Sequence, residues 1–155
     1  MDDFFEQLFN VVYHEGQKNL TYLFGAGNYR SGSIKFGGFQ PSYDWYGKTS
    51  LSFDKVGPLE TSTKTIYLNV CFLNYYLGII DWPRYDFPKF VNTMAHEITH
   101  CLLVDYEPKK ANEHTLWHFI ITYFVEVYLW ETNEIKILAQ LCGSNKTKSL
   151  PKLDF

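Results

Sequence analysis

The segment HEITH, His96 to His100, sets two imidazoles and a carboxylate inside an otherwise apolar stretch, VNTMAHEITHCLL. On a helix, residues four apart lie on one face, one turn above each other. His96 and His100 can therefore turn ring nitrogens toward a single metal ion. Zinc accepts imidazole at about 2.0–2.1 Å in a near-tetrahedral shell. Glu97 stands about 100° further round the helix. It is badly placed to join that shell and well placed to reach a water on the metal, which is the position of a general base. The ion lowers the pKa of that water toward about 7, and the carboxylate takes its proton. Burying the three groups together without a metal would cost several hydrogen bonds' worth of desolvation.

A catalytic zinc needs a third protein ligand and an open fourth position. Candidates follow in DYEPKKANEHTLWHF. His114 comes after a turn long enough to reverse the chain, so an antiparallel second helix brings its first turn beside the metal. Three alternatives stay open. Glu113 adjoins His114 but faces elsewhere. His118 lies one turn on from His114 and reads equally as a hydrogen-bond partner behind the ligands. Glu126 sits deep in the second helix. A developing oxyanion wants a further donor, for which Tyr106, His118, Tyr123 and Arg84 are candidates. Tyr43, Trp45, Tyr46, Trp82 and Trp117 could line a cleft or stack on bases, although packing is the plainer reading. Cys101 reads as a core thiol, with no base at a spacing that would activate it.

These residues must be positioned by the rest of the chain. DDFFEQLFNVVYHEG spaces Phe4, Phe5, Leu8, Phe9 and Val12 for a helix over about 3–15, closed by Gly16. Residues 24–65 are rich in Gly, Ser, Thr and aromatics, and their short alternations predict a small antiparallel sheet of about three strands, with KVGPLETST as a loop. CFLNYYLGII predicts a short helix, and DWPRYDFP a loop. The HEITH helix is expected over about 88–104, stopped by Pro108. A long helix over about 113–131 and a short one over about 132–142 follow. The expected class is α+β: a single domain over 1–142 with an N-terminal helix, a small antiparallel sheet and the HExxH helix packed on the following long helix. Residues 143–155 read as a flexible polar tail.

The bulk numbers agree with a folded domain. The chain has 155 residues, 46% of them hydrophobic, with a formal net charge of -3. It has no overall basic surplus of the kind a general nucleic-acid binder shows. The three cysteines form no CxxC pair, which excludes a Cys-rich zinc finger and argues for reduced thiols. The opening MDDFFEQLFN carries aspartates where a secretion signal carries positive charge, and no apolar run nears the roughly 20 residues that span a membrane. The expectation is a soluble intracellular protein, in cytoplasm or nucleus, without membrane contact.

TIYLNVCFLNYY, then a proline-containing loop, then VNTMAHEITHCLL, then ANEHTLWHF resembles the SprT-like zinc metallopeptidases, which include the Spartan proteases. The resemblance covers roughly residues 60–125. It implies a zincin-like fold with Ile66 and Leu68 on a strand, His96, His100 and His114 as ligands of Zn2+, and Glu97 as the catalytic glutamate. Thr115 stands where the family often has glycine. The implied activity is metalloendopeptidase cleavage of proteins or peptides, extending to proteins associated with DNA. The rival expectation is a non-catalytic, zinc-stabilised module that binds protein or DNA and has no need of Glu97.

Overall fold

The computed structural model describes residues 2–24, 32–56, 59–78, 86–106 and 111–145. In chain order the elements are α1 (Asp2–Phe24), β1 (Ile34–Gln40), β2 (Gly47–Val56), β3 (Leu59–Asn69), α2 (Val70–Tyr76), α3 (Phe87–Tyr106), α4 (Leu116–Glu131) and α5 (Asn133–Asn145). The class is α+β, with five helices and one three-stranded sheet among the described residues. No helix among the described residues is long and apolar enough to cross a membrane.

α1 buries Phe5, Leu8, Phe9 and Val12 as its spacing requires. It does not stop at Gly16. A Cβ on Gly16 would lie 2.8 Å from Leu102 Cδ1, so the glycine is where α1 and α3 cross at close range. Tyr13 before it and Gln17 and Leu20 beyond it continue the buried face.

The sheet departs from the antiparallel expectation. Its order is β1-β3-β2, with β2 and β3 antiparallel but β1 and β3 parallel. The expected KVGPLETST loop is strand on both sides of Gly57 and Pro58, and β3 pairs with β2 and lies between β2 and β1. The segment 41–46 must then cross the end of β3, and Asn69 ties it there. Its Nδ2 donates to the Ser42 carbonyl at 2.8 Å and the Trp45 carbonyl at 2.9 Å. Its backbone N–H donates to the Tyr46 carbonyl at 2.8 Å. Central placement explains why Ile66 and Leu68 have no exposed surface. Gly38, at φ 97°, sits where the β1 register slips by one residue, a conformation that glycine adopts without strain.

α2 lies where a short helix is expected. α3 starts earlier than expected because the Asp86 carboxylate accepts from the Lys89 N–H at 3.0 Å and caps it. α4 starts later: Thr115 is extended and its hydroxyl accepts from the His118 N–H at 3.2 Å. His114 therefore sits in the lead-in to α4, not in its first turn. α5 continues past 142 to Asn145, and residues 146–155 lie outside the described residues.

Candidate metal centre

α3 packs on α4, α1 and the sheet, and its one-turn spacing stacks His96 above His100 as required. α4 runs back along α3 and presents His118, while the lead-in segment brings His114 over the top. The four imidazoles His96, His100, His114 and His118 each offer a nitrogen, and these atoms all lie within 4.8 Å of one another, close enough to bind a metal ion.

Three of the nitrogens converge more tightly. His96 Nε2 is 3.1 Å from His114 Nε2 and 3.2 Å from His100 Nε2. Ligand atoms about 2.05 Å from a tetrahedral ion are about 3.3 Å apart, so the spacing fits a common ion. The tautomer of His100 follows from its neighbour. Its Nδ1 is 2.5 Å from the Ala111 carbonyl, which can only accept, so Nδ1 carries the proton and Nε2 the lone pair. His118 is oriented the other way. Its Nε2–H donates to the His96 carbonyl at 3.3 Å, and its ring stands 4.4 Å from His96 and 4.3 Å from His100.

The electrostatics favour the neutral forms of His96, His100 and His118. Burial, then His100 and His114, push His96 down to about 4. Burial and the neighbouring histidines push His118 down to about 3. Burial also lowers His100, against the Ala111 hydrogen bond, which raises it. A neutral imidazole keeps the lone pair that a metal needs.

Glu97 is 5% exposed, and burial raises its carboxyl to about 7, opposed by a hydrogen bond from Thr49. That bond runs from Thr49 Oγ1 to Glu97 Oε1 at 2.9 Å, leaving Oε2 3.8 Å from His96 Nε2. β2 reaches this depth because of Gly47, where a Cβ would lie 2.9 Å from Glu97 Cγ. Thr49 had no signal in the sequence, being 48 residues from Glu97 and one of several hydroxyls in its strand.

Other candidates fall elsewhere. Glu113 is exposed and outside the cluster, and Glu126 accepts from Asn92 Nδ2 at 3.0 Å. Tyr106 is tied to α1 through Thr21 Oγ1 at 2.8 Å and the Gln17 carbonyl at 3.0 Å. Tyr123 is on the exposed side of α4. Tyr43 is exposed, and Tyr46 lies under the Lys89 ammonium, 4.4 Å from its ring centre. Arg84 and Trp82 lie outside the described residues. Cys101 is buried without exposure and its thiol is pushed up, as befits a core residue. No family model, no curated protein and no solved structure matches this chain.

Proposed function

We propose that the chain is a zincin-like, zinc-dependent metalloendopeptidase in which His96, His100 and His114 hold the metal and Glu97 is the general base. The observation that carries this reading is the approach of His100 Nε2 and His114 Nε2 to His96 Nε2, at 3.2 and 3.1 Å, beside a buried carboxylate whose Oε2 faces His96. A zinc ion held there supplies Lewis acidity, acidifying a water and polarising a carbonyl. Glu97 Oε2 takes the proton from the attacking water and then passes it to the departing amine nitrogen. Thr49 holds the other oxygen, so the carboxylate cannot rotate away. His118, bonded to the His96 carbonyl, fixes the backbone that carries two ligands and leaves the fourth position open. Protein or peptide substrates follow from the resemblance to SprT-like enzymes, as does the extension to DNA-associated proteins.

Glu97→Gln is the test, with cleavage of an unfolded protein such as casein as the readout. Hydrolysis should fall by about 10²–10⁴-fold while bound zinc stays at the wild-type level. Zinc bound by the wild-type chain with no hydrolysis would favour the rival reading of a zinc-stabilised binding module, and undiminished hydrolysis by the Gln variant would remove Glu97 from the chemistry.

A further inference from the structure

On the side of α4 facing α1 lies an apolar groove of about 380 Å³, walled by Val12, Leu20, Leu102, Ile121, Phe124 and Val125. It exists because α4 packs mainly on α3 and only lightly on α1. α4 itself is apolar nearly all round: from Leu116 to Val125 only His118 can carry charge. Such a helix is normally covered on every side. Here, of the side chains that α4 gives to the groove, Phe124 is 66% and Trp117 50% exposed. The groove spans Val12 to Tyr22 on α1 and Trp117 to Tyr128 on α4, close to three helical turns or about 15 Å on each wall.

Its edge is acidic. Glu15 is part of the wall. Tyr128, also in the wall, has its hydroxyl raised by burial and then by the nearby carboxylates of Glu15, Glu131 and Glu134. No lysine or arginine lines the groove among the described residues. In a two-fold contact a second copy of the chain would present this same face, whose lining holds no cation to pair with the carboxylates. An anionic membrane or a nucleic acid is disfavoured for the same reason. What fits both the apolar floor and the acidic edge is a helix with apolar side chains on one face and cations on the other.

We propose that the α1–α4 groove docks an amphipathic, basic helical segment of a protein partner, with about three turns seated and its cations against Glu15, Glu131 and Glu134. The site is separate from the histidine cluster, so its occupancy does not rest on hydrolysis.

The probe is a synthetic helix of about three turns with leucine at i, i+3, i+4 and i+7 and lysine on the opposite face, titrated against the full chain by fluorescence anisotropy. A twin peptide carrying glutamate for lysine is the control. Saturable binding of the lysine peptide is expected, with the twin at least about tenfold weaker. Phe124→Ala should weaken binding by about tenfold or more. Because these carboxylates are on the surface, Glu15→Lys, Glu131→Lys and Glu134→Lys together should leave the fold intact and invert the preference between peptides. Equal binding of the two peptides, or binding by neither, overturns the proposal. So does a concentration-dependent dimer in sedimentation that Phe124→Asp abolishes, which assigns the groove to a second copy. Phe124-dependent binding to phosphatidylcholine vesicles would assign it to lipid and overturn the proposal equally.

Discussion

α3 carries two polar clusters, and they are built on opposite principles. Near its C-terminal end, Asp105 meets Lys64 from β3 at 3.2 Å, both side chains having no exposed surface. Asp105 also accepts from Tyr13 and, at 2.8 Å, from Gln17, while Lys64 donates to Ser62 Oγ at 2.8 Å. Unlike groups face one another: Asp105 Oδ2 accepts hydrogen bonds, and Asp105 Oδ1 meets the Lys64 charge without a hydrogen bond. Near the middle of the same helix, His96 Nε2 meets the Nε2 of His100, one turn on, and the Nε2 of His114, from the lead-in to α4. The Nε2 of His100 has only a lone pair to offer, and burial lowers the pKa of both His96 and His100, which favours their uncharged forms. A structural polar cluster satisfies its own members. This one gathers like groups around a point, as a site for a cation does.

Breaking the closed cluster should produce the largest loss of stability. Asp105→Ala leaves Lys64 charged and buried without its counter-ion, at a cost of about 3–5 kcal/mol. Denaturant unfolding should show it, and zinc should not restore what is lost. Replacing both partners, Lys64→Met with Asp105→Leu, should recover most of that stability, because two apolar groups leave nothing unpaired.

The open cluster should respond in reverse. Saturating zinc should stabilise the wild-type chain, by about 4 kcal/mol at a thousandfold excess over its Kd. His100→Ala and His114→Ala should abolish that increment. Exposed His114 should cost the metal-free protein no more than about 0.5 kcal/mol when replaced. Calorimetric melting with and without a chelator separates the two behaviours.

A smaller effect should follow loss of Thr49. Thr49→Val removes a hydrogen bond to a carboxylate, worth about 1.5–3 kcal/mol. Casein hydrolysis should drop about tenfold or more, with zinc content unchanged and Thr49→Ser close to wild type. An unchanged rate in Thr49→Val would mean that Glu97 is held by burial alone.

The smallest expected effect is on pH dependence in the metal-free protein. His96 and His118 titrate lower in the fold, at about 4 and about 3, than their ordinary 6.5. Below pH 6.5 the unfolded chain takes up protons that the fold refuses, so stability falls as the pH drops toward 4. Glu97 acts oppositely. Its folded value of about 7 lies above its ordinary 4.5, so it contributes stability below 4.5 that is lost as the pH rises to 7. Glu97→Gln removes this opposing slope. Its unfolding free energy should therefore fall more steeply than that of the wild type between pH 6.5 and 4.5.

The sequence made the open cluster easier to see than its support. HEITH is legible because both its histidines lie on one element with fixed periodicity, and His114 follows after a short turn. Thr49 is brought to Glu97 by strand packing, which no local spacing encodes. The strands of the sheet were visible as alternation, but alternation does not say which strand lies between the others. Alternation alone makes β3 part of an antiparallel set, whereas it pairs parallel with β1. Gly16 reads as a helix stop because its partner, Leu102, is far along the chain. The Lys64–Asp105 pair gave no signal, since neither residue is unusual until both are buried.

Metal titration of the purified, chelator-treated chain tests the central claim most directly, with His114→Ala and His118→Ala beside it. One zinc per chain, lost with His114 and retained with His118, is the expected result. No zinc bound by the wild-type chain would contradict the account, and the four histidines would then be a packed polar patch between two helices.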